Sequence, residues 1–474
     1  MILLKMANAE RLCLHGRFNR IQLKEKREKS EVRKMNKRKL AIVTAAAILG
    51  TSVPANVMAA AEIPEGTTIT FWHAMGGVNG EALDYLVNKF NEENELGITV
   101  DSQYQGSYDD SINKLKSAQL GNMGADLVQI YDIGTRFMID SGWVVPMQDM
   151  IDAEGYDVSA LEPNITAYYT VDDRLYSMPF NSSTPILYYN KDMFDKAGIT
   201  EVPTSLTGIA EIADDLVNKG GAGMPISLGI YGWFFEQFMC KQGLDYVDNG
   251  NGREAAATKV AFDENGGALN ILNEWKSLYD AGYAPNVGRG GDSGLADFSA
   301  GKSAMTLGST ASLKQILQDV NGNFEVGTAY FPSVTDEDEG GVSIGGASLW
   351  MLDNGDDAKK AATWEFVKYL VSAESQAYWN VQTGYFPVTV DAHEEDLFKE
   401  NMEQYPQFQT AIDQLHDSAP EYAGALLSVF PEARAIVETE VENMLNGKQT
   451  PEETVEKMAS DMNTSIEDYN LLNE

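Results

Sequence analysis

From Thr67 onward the apolar positions along the chain switch repeatedly between two periods, and the switches mark alternating strands and helices. Thr68 to Trp72 reads as a strand, and Leu83, Leu86, Val87 and Phe90 follow at the spacing of one helix face. Ile98, Val100 and Tyr104 predict a second strand, a helix follows around Ile112 and Leu115, and Leu127 to Tyr131 predicts a third strand. This order predicts a parallel sheet covered by helices. On such sheets ligand groups gather beyond the carboxyl ends of the strands, which is where Tyr108 and Asp132 fall.

Further on, Phe180-Asn181-Ser182-Ser183-Thr184-Pro185 reads as a polar turn feeding a buried strand, Ile186 to Tyr189. Such a seam is either part of a site or an ordinary surface turn. Beyond it, Thr204 is placed to cap a helix carrying Leu206, Ile209, Ile212 and Leu216, which Lys219-Gly220-Gly221 ends. Strands predicted near Ile226 to Gly229 and Ala304 to Leu307, with a helix through Ile271, Trp275 and Leu278 between them, make a second α/β unit. Ile344 to Trp350 repeats the turn-to-strand pattern, Ala361 to Val371 is helical, and Thr383-Gly384-Tyr385-Phe386-Pro387 is a third polar passage. Three crossings between two α/β lobes imply a hinge. Pro431 opens a helix with Arg434 in its first turn, and Thr450-Pro451-Glu452-Glu453 is a capping box for the last helix.

Composition narrows the function. A chain of 474 residues exceeds one core of ordinary size, which agrees with two lobes. Residues 1–61 hold 13 Lys and Arg against 4 Asp and Glu, whereas the whole chain carries −36, so the body is strongly acidic. That charge disfavours nucleic acid and anionic membranes as partners. The basic segment reads as a leader with an export signal: Lys37-Arg38-Lys39, the apolar run Leu40 to Leu49, and a cleavage site near Ala59 to Ala61, with Met35 a plausible start. The apolar run is too short to span a membrane. Cys13 leaves with the leader and Cys240 stands alone, which excludes an internal disulfide, and no cysteine at the cleavage site supports a lipid anchor.

No catalytic signature survives inspection. Gly301-Lys302-Ser303 lacks the upstream glycine and following helix of a phosphate loop, since Ala296 stands five residues before Gly301. Gly291-Asp292-Ser293-Gly294 reads as a turn, because nothing pairs its serine with His73, His393 or His416. His393-Glu394-Glu395 lacks the second histidine of a zinc helix, and the acidic loop Asp336 to Glu339 lacks ligand spacing.

Phe71-Trp72-His73, Tyr104-Gln105-Gly106-Ser107-Tyr108, the Phe180 to Pro185 stretch, Gly345 to Trp350 and Thr383 to Pro387 together resemble the bacterial extracytoplasmic solute-binding proteins of ABC importers, and within them the glycerol-3-phosphate binders. The resemblance covers the chain beyond the leader. It implies the two-lobed α/β periplasmic-binding-protein fold with three interlobe crossings and the ligand in the cleft. The expected lobes are residues 62–180 with 346–386, and 183–344 with 388–474. Carried over by position, the ligand contacts are Tyr108, Asp132, Ser183 and Trp233, together with Ser309, Gly346, Tyr385 and Arg434. Arg434 is expected to grip phosphate in a bidentate fork, Asp132 to accept from glycerol hydroxyls, and the others to supply uncharged donors.

Taken alone, Asp132 reads as a solvated loop carboxylate and Arg434 as a surface helix residue. The strand-end rule tips the first toward the site; for the second the resemblance alone does so. Two departures stand out. The glycerol-3-phosphate binders carry Glu where Asp132 stands, and two tryptophans three apart where this chain has Ile230-Tyr231-Gly232-Trp233. The missing indole implies a wider pocket, so the expected ligand is sn-glycerol-3-phosphate or a glycerophosphodiester, the diester binding as well or better. The expected protein is a monomer without cofactor, metal or catalysis, located outside the cytoplasmic membrane, binding a small phosphorylated polyol or sugar and handing it to ABC permease subunits. The rival readings are an oligosaccharide carrier and a secreted glycerophosphodiester hydrolase.

Overall fold

The computed structural model describes residues 62–119, 121 and 124–473. In chain order its strands are β1 (Thr68–His73), β2 (Thr99–Tyr104), β3 (Leu127–Tyr131), the short β4 (Val144–Val145), the hairpin strands β5 (Thr170–Val171) and β6 (Arg174–Leu175), β7 (Met178–Ser183), β8 (Pro185–Asn190), β9 (Met224–Ser227), β10 (Ser303–Ser309), β11 (Val326–Tyr330) and β12 (Gly345–Leu352). They form two main sheets. The first has the order β2-β1-β3-β12-β4 with β7 also on β12; the second runs β11-β8-β10-β9. The export signal expected in residues 1–61, with Cys13, lies outside the described residues. Among those described, no helix is long and apolar enough to cross a membrane.

The first sheet is mixed, where the strand-helix alternation predicted it parallel. β1 pairs in parallel with β2 and β3, but β12 runs antiparallel to β3, β4 and β7. The reason is long range. β12 returns from the second sheet after β11 and enters from the opposite end, which a local period cannot encode.

The Phe180 to Pro185 stretch is likewise no turn. Met178–Ser183 is a fully buried strand, and Thr184 is the one residue between β7 and β8. Distant residues satisfy part of its polar content: while the Ser182 and Thr184 hydroxyls are buried with no partner among the described residues, the Gln129 amide donates to the Asn181 side chain at 2.7 Å and the Phe386 N–H donates to the Ser182 backbone carbonyl at 2.7 Å. The same bond ties the Thr383 to Pro387 passage to β7.

Smaller expectations shift by a residue. Ser205, not Thr204, caps the helix Leu206–Asp215, accepting from the Gly208 N–H at 2.9 Å. Thr204 is engaged elsewhere, its carbonyl accepting from Ser333. The last helix, Pro451–Asn473, opens with the predicted capping box: Thr450 N–H donates to Glu453 at 2.9 Å and Glu453 N–H to the Thr450 hydroxyl at 3.2 Å.

The apolar core does not stop at either sheet. One cluster runs from Val128, Ile130 and Trp350 on the first sheet through Leu187, Met305 and Leu307 on the second to Val437 and Val441. Apolar packing thereby runs between the two sheets as well as within each.

Candidate ligand-binding site

A cavity of about 380 Å³ opens beyond the carboxyl ends of the parallel strands. All eight residues named from the sequence line it: Tyr108, Asp132, Ser183 and Trp233, with Ser309, Gly346, Tyr385 and Arg434. Tyr131, Tyr231, Phe234 and Asp292 also line it, none of them among the expected ligand contacts.

Each predicted group is set by its element. β2 ends at Tyr104 and Tyr108 begins the next helix; Asp132 follows β3 directly. Tyr108 is oriented by a buried relay. The Ala74 N–H donates to Gln129 at 2.9 Å, Gln129 donates to Asn181, and Asn181 donates to the Tyr108 hydroxyl at 2.9 Å. That oxygen accepts from Asn181, and the Tyr385 hydroxyl is a further hydrogen-bonding neighbour of it. The Tyr108 ring stacks on Tyr131 at 5.3 Å, and Tyr131 donates to Asp109 at 2.7 Å.

Ser183 and Ser309 meet because the Thr310 N–H donates to the Thr184 carbonyl at 3.0 Å. The Ser309 hydroxyl accepts from Ala311 N–H at 3.2 Å, which leaves its proton free. Gly346 has φ +89°, and a Cβ there would lie 2.0 Å from the Asn181 carbonyl, so only glycine fits. The Trp233 indole N–H is buried and has no partner among the described residues.

Arg434 lies on the helix Phe430–Leu445, one turn inside rather than in the first turn. A Cβ at Gly232 would come within 2.9 Å of its Cα, so the glycine lets this helix approach. Far from the surface, Arg434 and Asp132 are both buried. Arg434 donates from Nε and Nη2 to Glu236 at 2.6 and 2.9 Å, and from Nη2 to Asp132 at 3.0 Å. Burial pushes the Asp132 and Glu236 carboxyls up against the pull of the shared guanidinium. Burial would lower Arg434, but the two carboxylates outweigh it and hold it well above its ordinary value.

This geometry corrects the bidentate phosphate fork. Glu236 already takes the Nε–Nη2 edge and Asp132 takes the other Nη2 proton, so Nη1 is the nitrogen with no described partner. The pair of Asp132 and Nη1 suits hydroxyls, which both donate and accept, better than a phosphate group. The missing indole is also relocated. Ile230 is fully buried in the core, and Tyr231 supplies the aromatic wall instead, its phenol pushed up to about 12 by burial. None of His73, His393 and His416 lines the cavity, and among the described residues no group of three or more His, Cys, Asp or Glu is placed to hold a metal.

Two lobes enclosing a polar, aromatic-walled cavity at strand ends define a solute-binding protein. The chain belongs to the bacterial extracellular solute-binding proteins, whose family model matches residues 85–410. It is 32% identical over 404 residues to the sn-glycerol-3-phosphate-binding periplasmic protein UgpB of Escherichia coli (strain K12), covering 82% of this chain and 90% of that one. In fold it is similar to UgpB from Mycobacterium tuberculosis in complex with glycerophosphocholine, with a TM-score of 0.71, 22% identity, and coverage of 86% of this chain and 100% of that one. It is also similar to the GacH receptor of Streptomyces glaucescens, with a TM-score of 0.69, 21% identity, and coverage of 85% and 100%. The protein is thus the extracytoplasmic solute-binding component of an ABC importer, and its relatives are binding proteins rather than enzymes.

Proposed function

We propose that the solute is sn-glycerol-3-phosphate or a glycerophosphodiester. One observation carries the reading: the cavity wall combines a charged pair, Asp132 with Arg434, and uncharged polar groups at Ser183, Ser309, Gly346 and Tyr385. Glycerol hydroxyls match the first and phosphoryl oxygens the second. The helix Leu313–Val320, which follows Ser309 through a single 3₁₀ turn, adds the favourable field of its N-terminus beside Ser309. The names of the UgpB relatives, which refer to sn-glycerol-3-phosphate and glycerophosphocholine, support the same class.

Capture follows from closure. The lobes, residues 62–180 with 346–386 and 183–344 with 388–474, rotate about the three crossings, and the closed form is what the permease reads. The direct run from β7 to β8 supports a short hinge at Thr184. The leader is removed near Ala59 to Ala61 and the released protein works as a monomer. Calorimetry with sn-glycerol-3-phosphate, glycerophosphocholine and maltotriose tests the ligand class. Micromolar or tighter binding of a glycerophosphoryl compound is expected, and binding of maltotriose alone would replace this reading with the oligosaccharide one.

A further inference from the structure

We propose that Gln129 and Asn181 are positioning residues for ligand binding: together they turn the hydroxyls of Tyr108 and Tyr385 into a hydrogen-bond donor aimed at an acceptor atom of the solute. The proposal rests on the glycerophosphoryl reading above and adds to it two residues that stand behind the cavity wall.

Neither side chain lines the cavity, and both are fully buried. Gln129 lies in β3 among Leu127, Val128 and Ile130, a strand interior that is otherwise apolar. An apolar pair would serve the sheet as well, since buried amides contribute little net stability even when bonded. Two irregularities of the backbone converge on Asn181. Ala347 of β12 faces Asn181 but Ser348 faces Pro179, so Phe180 is the extra residue of a β-bulge in β7. Gly346, with its positive φ, leaves room for the Asn181 carbonyl, which a Cβ would meet at 2.0 Å. Bulges re-aim side chains beside functional sites, and here the side chain is aimed at a phenol of the cavity wall.

The direction of the relay follows from its first member. The Ala74 N–H can only donate, so the Gln129 oxygen faces it at 2.9 Å and the Gln129 nitrogen faces Asn181. The Asn181 oxygen accepts that bond at 2.7 Å, which turns the Asn181 nitrogen toward the Tyr108 hydroxyl at 2.9 Å and the neighbouring Tyr385 hydroxyl.

Counting protons then gives the outcome. Burial pushes both phenols up, so both stay protonated at neutral pH. The two hydroxyls hold two protons. A bond between them uses one, the Asn181 nitrogen takes none, and the other is left for the cavity that both residues line. With the amide reversed, the Asn181 oxygen would take that proton and the pair would face the solute as an acceptor. A phosphoryl oxygen is bound by the first arrangement and refused by the second.

The test is calorimetry on the whole protein with sn-glycerol-3-phosphate and with glycerophosphocholine, for wild type, Gln129→Met and Gln129→Glu, each also in a Tyr108→Phe/Tyr385→Phe background. Gln129→Met cuts the relay, and affinity for the tighter ligand is expected to fall about tenfold, the worth of one hydrogen bond to a charged acceptor. In the background lacking both phenols the same substitution should change affinity less than about twofold, because the groups through which it acts are gone. Gln129→Glu supplies a pH signature. An ionised carboxylate there accepts from Asn181 and reverses it, whereas a protonated carboxyl donates as the amide does, so its deficit relative to wild type should close from about pH 8 to about pH 5. Gln129→Met should show no such recovery. Circular dichroism checks that the variants fold; should the buried carboxylate of Gln129→Glu prevent folding, the Gln129→Met comparison decides alone. Unchanged affinity in Gln129→Met, or equal losses with and without the two phenols, would overturn the proposal while leaving the glycerophosphoryl reading intact. Failure of wild type to bind either ligand would overturn that reading, and this proposal with it.

Discussion

Arg434, buried, and Arg253, half-buried, both join parts of the chain far apart in sequence, yet they are satisfied in opposite ways. Arg434 is held by two carboxylates, lines the cavity and keeps one nitrogen without a described partner. Arg253 has no carboxylate partner among the described residues. It donates to the backbone carbonyls of Gly424 at 2.7 Å, Ala423 and Tyr168 at 3.3 Å, and Ala167 at 3.5 Å, with its guanidinium 5.1 Å from the centre of the Tyr168 ring. Burial accordingly pulls Arg253 down, while the carboxylates hold Arg434 up. The difference separates structure from function. Carbonyls use up the donors of Arg253 in joining the end of the helix Pro163–Tyr169 to residues 423–424, whereas Arg434 is electrically neutralised but not saturated. A neutralised arginine can offer a hydrogen bond without drawing every anion into the cleft.

Removing Arg434 should have the largest effect. Arg434→Ala leaves two buried carboxylates unpaired, so a loss of about 3–5 kcal/mol in unfolding free energy is expected, with ligand affinity several hundredfold weaker, or roughly 3 kcal/mol. Denaturant unfolding and calorimetry read these separately. Asp132→Asn comes next, with affinity for sn-glycerol-3-phosphate reduced by about 30-fold through loss of a charged acceptor. Because burial raises the Asp132 carboxyl, wild-type affinity should fall on acidification at a higher pH than an exposed aspartate would give, and Asp132→Asn should abolish that step.

Arg253→Met is the sharpest test of the contrast. Stability should fall by about 1–3 kcal/mol as four carbonyls lose donors, while affinity changes less than threefold. A loss of affinity comparable to that of Arg434→Ala would erase the distinction drawn here. Glu236→Gln should do least, costing about 1 kcal/mol or less, because one of two carboxylates on a single guanidinium is dispensable in charge. Its signature is the pH profile. A carboxyl whose folded pKa lies above its unfolded value stabilises the fold fully below that unfolded value, about 4, and loses the contribution as pH rises through the folded one. Unfolding midpoints should therefore decline less from about pH 4 to 8 in Glu236→Gln than in wild type.

The sequence by itself determined the alternation of strands and helices, the capping box at Thr450, the acidic body and the eight residues that surround the cavity. The elements and the charge were legible because period, caps and charge are local, and Asp132 and Tyr108 because they stand where strands end; Ser183, Trp233, Ser309, Gly346, Tyr385 and Arg434 were assigned to the site through resemblance. The tertiary structure alone decided three things. It turned Asn181 to Ser183 from a turn into a buried strand, because Gln129 and Phe386 satisfy polar groups that no neighbour in sequence could. It inserted β12 antiparallel into the first sheet. It also brought Glu236 onto Arg434 and Asp292 to the mouth of the cavity from loops and helices far away in the chain. Pairing between distant residues sets how much charge and how many donors remain free, and that residue of unsatisfied chemistry is what a ligand meets.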